Sequence, residues 1–189
     1  MSSEKYDKLL KALAIKKNTK KATGWKSTGK LFPSSAGVEC ELNLRFGFTG
    51  ADKSIDFIWH GCENVIGDAI HEYIQSNFKD AFGEKVEVEK YITLEVEGVK
   101  INGKVDIILE GNKIIELKTI KSTEGKEPDP THIKQVQWYM GVLKLPKAAI
   151  CYINRENGIH IATYEIEYDE RAFERIKEKF ARVIKGVAS

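Results

Sequence analysis

The sequence predicts an α/β domain in which helices flank a mixed central β-sheet. Residues 85–120 alternate apolar and polar positions, are rich in Val and Ile, and break at Glu97-Gly98 and Gly111-Asn112. That is the pattern of three consecutive strands joined by hairpins. Helix-periodic tracts stand on both sides of it, and two further strand-like runs, 148–154 and 159–167, follow a helical stretch at 131–143. The resulting order, α-βββ-α-β-β-α, describes a mixed sheet covered by helices. The chain has 189 residues, 42% of them apolar and 31% charged, which suits one packed domain. The same balance excludes a disordered chain, a collagen-like fibre and a disulfide scaffold.

Each element has its own local reason. Tyr6, Leu9, Leu10 and Leu13 fall at i, i+3, i+4 and i+7, so residues 4–17 predict a short amphipathic helix. Residues 18–32 read as a polar linker. Pro33-Ser34-Ser35 suits the start of a second helix running to about Phe46, because proline is welcome in a first turn. From Asp56 to Phe82 apolar residues recur at helical intervals, as one long helix or two joined near Gly61. Residues 121–130 form a polar loop with two prolines, and Thr131–Leu143 is helical. Asp169 caps a last helix over 170–185. This divides the chain into a basic N-terminal helix and linker, 1–32, and one globular domain, 33–189.

The net charge of +2 is unevenly spread. Residues 1–31 carry nine lysines against Glu4 and Asp7, a local excess of +7 that leaves −5 for the rest. A basic arm on a mildly acidic body points to a polyanionic partner such as nucleic acid, with a solvated terminus as the plain alternative. No apolar run is long enough for a membrane span, and no apolar segment follows the N-terminal charges as in a secretory signal. Cys40, Cys62 and Cys151 are odd in number and share no C-x-x-C spacing, which fits reduced thiols in a cytoplasmic protein.

Two resemblances to binding motifs fail on inspection. Gly24-Trp-Lys-Ser-Thr-Gly29-Lys30 approaches a phosphate-binding loop, but Leu31 replaces the hydroxyl residue and no strand precedes it. Cys40, His60, Cys62 and His71 fit no usual zinc spacing, and cysteines behaving as small hydrophobes explain them better.

Asp106, Glu116 and Lys118 are different. Asp106 interrupts the apolar run Gly103-Lys-Val-Asp-Ile-Ile-Leu109, and Glu116 and Lys118 interrupt Ile114-Ile-Glu-Leu-Lys-Thr119. Charges inside such strands are costly unless they are paired or bind a metal. Residues i and i+2 share a strand face, so Glu116 and Lys118 point the same way. The two carboxylates could hold a hard cation, with Lys118 one pleat away for a phosphate or a water. An ion pair on a half-buried hairpin is the alternative, and Glu124-Gly125-Lys126 repeats the E-x-K triplet in a loop. Gly67 and His71, then Gln135 and Tyr139, are each four apart on a predicted helix and share a helix face.

A shared site constrains the hairpin. A two-residue turn at Gly111-Asn112 would leave Asp106 on the face opposite to Glu116 and Lys118. A three-residue loop, Gly111-Asn112-Lys113, pairs Glu110 with Ile114, Ile108 with Glu116 and Asp106 with Lys118. The other face is then Val105, Ile107, Leu109, Ile115, Leu117 and Thr119, nearly all apolar. An odd-length loop or a bulge is therefore predicted between Asp106 and Glu116.

The order G-x3-H, G-x-x-D, E-x-K and Q-x3-Y resembles the RecB-like branch of the PD-(D/E)XK nucleases, including the CRISPR-associated RecB-like exonucleases and viral stand-alone relatives. The resemblance covers about residues 33–155 and implies a restriction-endonuclease-like core. It implies His71, Asp106 and Glu116 as ligands of Mg²⁺ or Mn²⁺, with the main-chain carbonyl of Leu117 completing the site. Lys118 would position or activate water, and Gln135 and Tyr139 would support the site and contact the nucleic-acid backbone. Lys20, Lys21, Lys26 and Lys30 of the arm would add affinity for DNA, and Trp25 and Trp138 could stack on exposed bases. Val105 stands where the family's name has proline. Many relatives carry an iron–sulfur cluster on one cysteine before the core and three after it. Cys40 matches the first, but no cysteine lies in 165–189, so no cluster is expected. The function implied is a metal-dependent deoxyribonuclease. The alternatives are a non-catalytic nucleic-acid-binding module and a junction-resolving or restriction-type endonuclease of the same superfamily.

Overall fold

The computed structural model describes residues 31–37, 41, 61–121 and 127–188. Five strands form a mixed sheet in the order β1-β2-β3-β4-β5: Val86–Val96, Val99–Leu109, Lys113–Ile120, Lys147–Asn154 and His160–Glu167. Only β3 and β4 run parallel, and the other neighbours are antiparallel. Among the described residues, three helices flank the sheet: α1 Gly61–Phe82, α2 Pro130–Leu143 and α3 Glu170–Ala188. The predicted α/β class and strand pattern match this arrangement.

Local chemistry sets the boundaries. Glu97 and Gly98 take φ of 48° and 75°, a two-residue turn that pairs Val96 with Val99. Asp129 caps α2 by accepting from the Thr131 N–H at 2.7 Å, so the helix opens at Pro130, one residue earlier than expected. Lys144, at φ 56°, ends it. Asp169 accepts from the Arg171 N–H at 2.8 Å, as its capping role requires, and α3 continues to Ala188, beyond the expected end at 185.

The start of the expected helix at 33–46 is instead a 3-10 turn, Pro33–Gly37. It presses on α2 so closely that a Cβ on Gly37 would lie 2.0 Å from Thr131 Cγ2. The expected helix at 4–17, the basic arm with Lys20, Lys21, Trp25, Lys26 and Lys30, Cys40, and residues 56–60 lie outside the described residues.

Two apolar layers hold the sheet. On one face, Ile70, Ile74 and Phe78 of α1 pack on Val86, Ile107, Ile115, Leu117 and Ile153. On the other, α2 and α3 cover Ile101, Val105, Ile108, Ile114 and Ile150 through Val136, Trp138, Met140, Ile176 and Phe180. Trp138 is fully buried against Phe173 and Phe180, with ring centroids 5.6 and 5.1 Å away. It serves the core and cannot stack on a base. Leu31 also belongs to this layer. Among the described residues, no helix is long and apolar enough to cross a membrane.

Candidate active site

The β2–β3 loop has the odd length that a shared site needs, but it sits one residue earlier than expected. Glu110, Gly111 and Asn112 form it, closing Leu109 onto Lys113 and pairing Ile108 with Ile114 and Ile107 with Ile115. The expected pairings of Glu110 with Ile114, Ile108 with Glu116 and Asp106 with Lys118 are therefore displaced by two residues. The cause is at Glu110. Its N–H donates to Lys85 O at 2.7 Å, and its φ of 53° starts the turn before Gly111. A two-residue displacement preserves the face.

The expected apolar face needs a second correction. Ile107, Leu109, Ile115 and Leu117 pack towards α1, but Val105 lies in the layer under α2 together with Ile108. Residues three apart cannot share a face of a regular strand. The β1–β2 register passes over Glu89 and Asp106, and Glu89 has φ 55°. The strand irregularity therefore lies at Asp106 itself.

The side chains singled out by sequence converge around this break. Asp106 accepts from the Leu117 N–H through Oδ2 at 2.8 Å, and its Oδ1 lies 3.7 Å from His71 Nδ1 on α1. From α2, Gln135 donates through Nε2 to Glu116 Oε1 at 2.9 Å and to Tyr139 Oη at 2.8 Å. Its Oε1 accepts from Lys118 Nζ at 2.9 Å, while Lys118 also meets Glu116 Oε1 at 2.8 Å. Tyr139 donates in turn to Lys104 O at 3.1 Å. Gln135 thus uses both ends of its amide and ties Glu116 and Lys118 of β3 to α2.

Two motif glycines make room for these contacts. A Cβ on Gly103 would lie 2.6 Å from Pro33 Cγ and 3.0 Å from Tyr139 Cε1. One on Gly67 would come within 3.0 Å of Thr119 Oγ1, so the bare backbone lets α1 lie close to β3.

Glu116 is the electrostatic centre. It is 3% exposed, and its Oε2 is buried with no hydrogen-bond partner among the described residues. Burial, reinforced by Asp106 and opposed by Lys118, pushes its pKa up to about 7. Burial likewise raises the Tyr139 hydroxyl, which therefore stays protonated as a donor. Among the described residues, no three His, Cys, Asp or Glu side chains form a metal-binding group by themselves. Two carboxylates, one with an unused oxygen, still suit a hard cation that completes its shell with carbonyl, water and phosphate oxygens.

Sequence reasoning missed several neighbours. Gln75, one turn after His71, donates to Glu89 Oε1 at 2.9 Å and to Asp106 O at 3.3 Å. Glu89 also pairs with Lys104. His132 Nδ1 and Tyr152 Oη lie 2.8 Å apart, and burial followed by the Lys118 charge lowers the His132 pKa. A cleft of about 250 Å³ opens beside Gly67, Asp68, His71, Leu117, Lys118 and Arg155. The helical spacing of Gln75 from His71 was readable, but Glu89 and Arg155 carry no sequence signal. Cys151 is half-buried at the edge of the α1 layer, where burial raises its thiol pKa, as befits a small hydrophobe.

No protein-family model matches the chain, and no curated protein matches it in sequence. Solved structures do match. The crystal structure of SSO0001 aligns with a TM-score of 0.68 at 24% identity, over 97% of this chain and 87% of that one. An alkaline exonuclease from Laribacter hongkongensis, LHK-Exo, aligns at 0.63 and 14% identity, over 85% and 88% of the two chains. A phage-related exonuclease from Haemophilus somnus 129PT aligns at 0.51 and 18% identity, over 80% and 79%. At these identities the likeness establishes the fold: this chain has the mixed-sheet α/β architecture that these structures, two of them exonucleases, share.

Proposed function

We propose that this chain is a metal-dependent deoxyribonuclease of the RecB-like PD-(D/E)XK type. It would hydrolyse phosphodiester bonds of single-stranded DNA or DNA ends in replication, recombination or repair. The observation that carries this reading is Glu116, a buried carboxyl with an unused oxygen, set beside Asp106 and Lys118 where the ladder breaks. The fold it shares with exonucleases, one of them crystallised in complex with dAMP, supports DNA as substrate.

Asp106, Glu116, the Leu117 carbonyl and His71 would hold Mg²⁺ or Mn²⁺, which when bound neutralises phosphate charge and makes a water more acidic. An imidazole donor favours Mn²⁺ over Mg²⁺. Lys118, braced by Glu116 and Gln135, directs its ammonium at a water or phosphate oxygen. Tyr139 and Gln135 hold that lysine and Glu116 in register with β2 through Lys104 O. The basic arm adds salt-sensitive affinity without reading bases.

The test is incubation with 5′- and 3′-labelled linear and circular single strands in Mn²⁺, Mg²⁺ or EDTA. Cleavage in either metal and none in EDTA is expected. Full-rate cleavage in EDTA, or intact DNA in both metals, overturns the proposal.

A further inference from the structure

We propose that His132 is a further substrate contact of this site, a neutral imidazole whose Nε2–H donates to a phosphate oxygen of the bound strand on the α2 side of Lys118. The tautomer follows from geometry, and the identity of the ligand rests on the nuclease reading. His132 lies in the first turn of α2, one turn before Gln135, which bonds Lys118. Tyr152 stands directly across from Lys118 in the parallel β3–β4 pairing. Its hydroxyl oxygen meets His132 Nδ1 at 2.8 Å and accepts the Asp129 N–H at 3.0 Å. The imidazole is thus pinned to the strand beside the one that carries Glu116 and Lys118.

Hydrogen-bond accounting places the ring's proton. Tyr152 is buried, and its phenol has a single proton to give. Its oxygen already accepts the Asp129 N–H, and among the described residues His132 Nδ1 is the acceptor that its proton meets. Were Nδ1 the donor instead, the buried phenol proton would be left without a partner, which is costly. Tyr152 therefore donates to Nδ1, and the neutral ring carries its hydrogen on Nε2. Nε2 has no partner among the described residues, and it is not one of the unpartnered side-chain atoms that are sealed from solvent. The groups acting on the ring are Lys118 of β3, Tyr152 of β4 and Asp129 ahead of α2. Burial and the Lys118 ammonium hold the imidazole below its ordinary pKa, against the weaker pull of Asp129, whose carboxylate accepts the Thr131 N–H at 2.7 Å. The ring is neutral at pH 7 and keeps its open donor. A donor without a protein acceptor, set near an ammonium, suits a ligand that accepts hydrogen bonds and carries negative charge, as a phosphate oxygen does. The competing role is packing: the ring lies against Tyr152, with centroids 5.7 Å apart, and closing α2 onto β4 uses Nδ1 but not Nε2.

His132→Asn and His132→Gln separate the two roles. Asn puts its carbonyl at the Nδ1 position and keeps the Tyr152 bond, but has nothing at the Nε2 position. Gln carries an amide N–H to about the Nε2 position and gives up the Tyr152 bond. Long-range proton–nitrogen NMR of the full chain at pH 7 reads the tautomer. A neutral Nε2–H ring is expected, with its Nε2 resonance shifting when oligo-dT is added in Ca²⁺ and the tautomer preference lost in Tyr152→Phe. A protonated ring or an Nδ1–H ring in the wild type overturns the proposal. His132→Asn should melt like wild type yet bind oligo-dT about tenfold more weakly in Ca²⁺, the worth of one hydrogen bond to a charged group. Its salt slope should be unchanged, because no cation is lost. His132→Gln recovers part of the affinity, and in Mn²⁺ the loss falls on KM more than on kcat. A reduced salt slope would mean a charged imidazolium and overturn the neutral donor. Binding lost by both variants only in step with their melting temperature would assign His132 the packing role. If the wild type cleaves and His132→Asn keeps its Kd, the contact falls while the nuclease reading stands. If the wild type does not cleave but His132→Asn still weakens oligo-dT binding, the nuclease reading falls and the contact stands.

Discussion

Asp106 Oδ2 accepts the main-chain N–H of Leu117 at 2.8 Å, so a side chain on β2 takes the place of a ladder partner for β3. This bond fixes Asp106 beside Glu116 and keeps the Leu117 N–H satisfied inside the sheet. The proposed mechanism adds a chemical task to this structural one, and the two can be separated.

Asp106→Asn retains an oxygen for the Leu117 N–H but no charge. It should fold with near wild-type stability and lose activity by at least about 100-fold, as expected for removal of a charge-stabilising group. Asp106→Ala leaves a buried N–H unpaired and should lose about 1–3 kcal/mol as well. Urea denaturation of both variants beside a cleavage assay checks this. Equal stabilities would show that the Asp106–Leu117 bond contributes nothing.

Lys118→Ala should abolish cleavage while DNA binding in Ca²⁺ persists, because the proposed mechanism places Lys118 at the reacting phosphate and leaves the strand to other cations. It also removes the ammonium facing Glu116 and the donor to Gln135 Oε1. A parallel loss of binding would reassign Lys118 from the chemistry to the architecture.

Gly103→Ala should destabilise by about 1–3 kcal/mol, the usual range for overpacking. The new methyl meets Pro33 and the Tyr139 ring, so both must give way and the Gln135–Tyr139 bond is disturbed. Activity should fall more than stability does. A variant with wild-type melting and activity would mean that the turn at Pro33 yields freely.

The elements that were legible in the sequence are those whose local chemistry and long-range packing agree. Asp106, Glu116 and Lys118 stood out because each interrupts an apolar strand, and Gln135 and Tyr139 because helical spacing aligns them. The exact register was not legible. Nothing in the residue type of Glu110 announces a left-handed conformation, which depends on the Lys85 carbonyl far away in sequence. Val105 changed faces for a similar reason, because the break at Glu89 is a property of two strands together. Arg155 acquires its place only when β4 lies parallel to β3.

The arm's contribution can be tested by truncation. Leu31 is buried in the layer under α2, so a truncation should remove residues 1–30 and no more. That deletion takes away nine lysines and two acids. It should leave the melting temperature nearly unchanged while weakening DNA binding and flattening its salt dependence. An unaltered slope in a titration from low to high salt would remove the arm from the binding surface.

Glu116 predicts an unusual pH dependence for the metal-free protein. Burial holds its pKa at about 7, above the ordinary value of 4.5, so the folded state binds this proton more tightly than the unfolded state. Below about pH 4.5 both states are protonated and the stabilisation from this linkage is fully present. As pH rises through 7 it is lost, because the folded state must then bury a carboxylate. Other groups titrate over the same range, so the comparison is with Glu116→Gln, a neutral residue of nearly the same shape. Relative to wild type, that variant should gain about 1–3 kcal/mol between pH 5 and pH 8 when EDTA is present. Adding Mn²⁺ at pH 8 should reverse the order, raising the wild-type melting temperature while leaving the variant's nearly unchanged, because a cation compensates the buried charge. Parallel stability curves for the two proteins in EDTA would place the Glu116 proton elsewhere, and equal responses to Mn²⁺ would remove Glu116 from the metal's ligands.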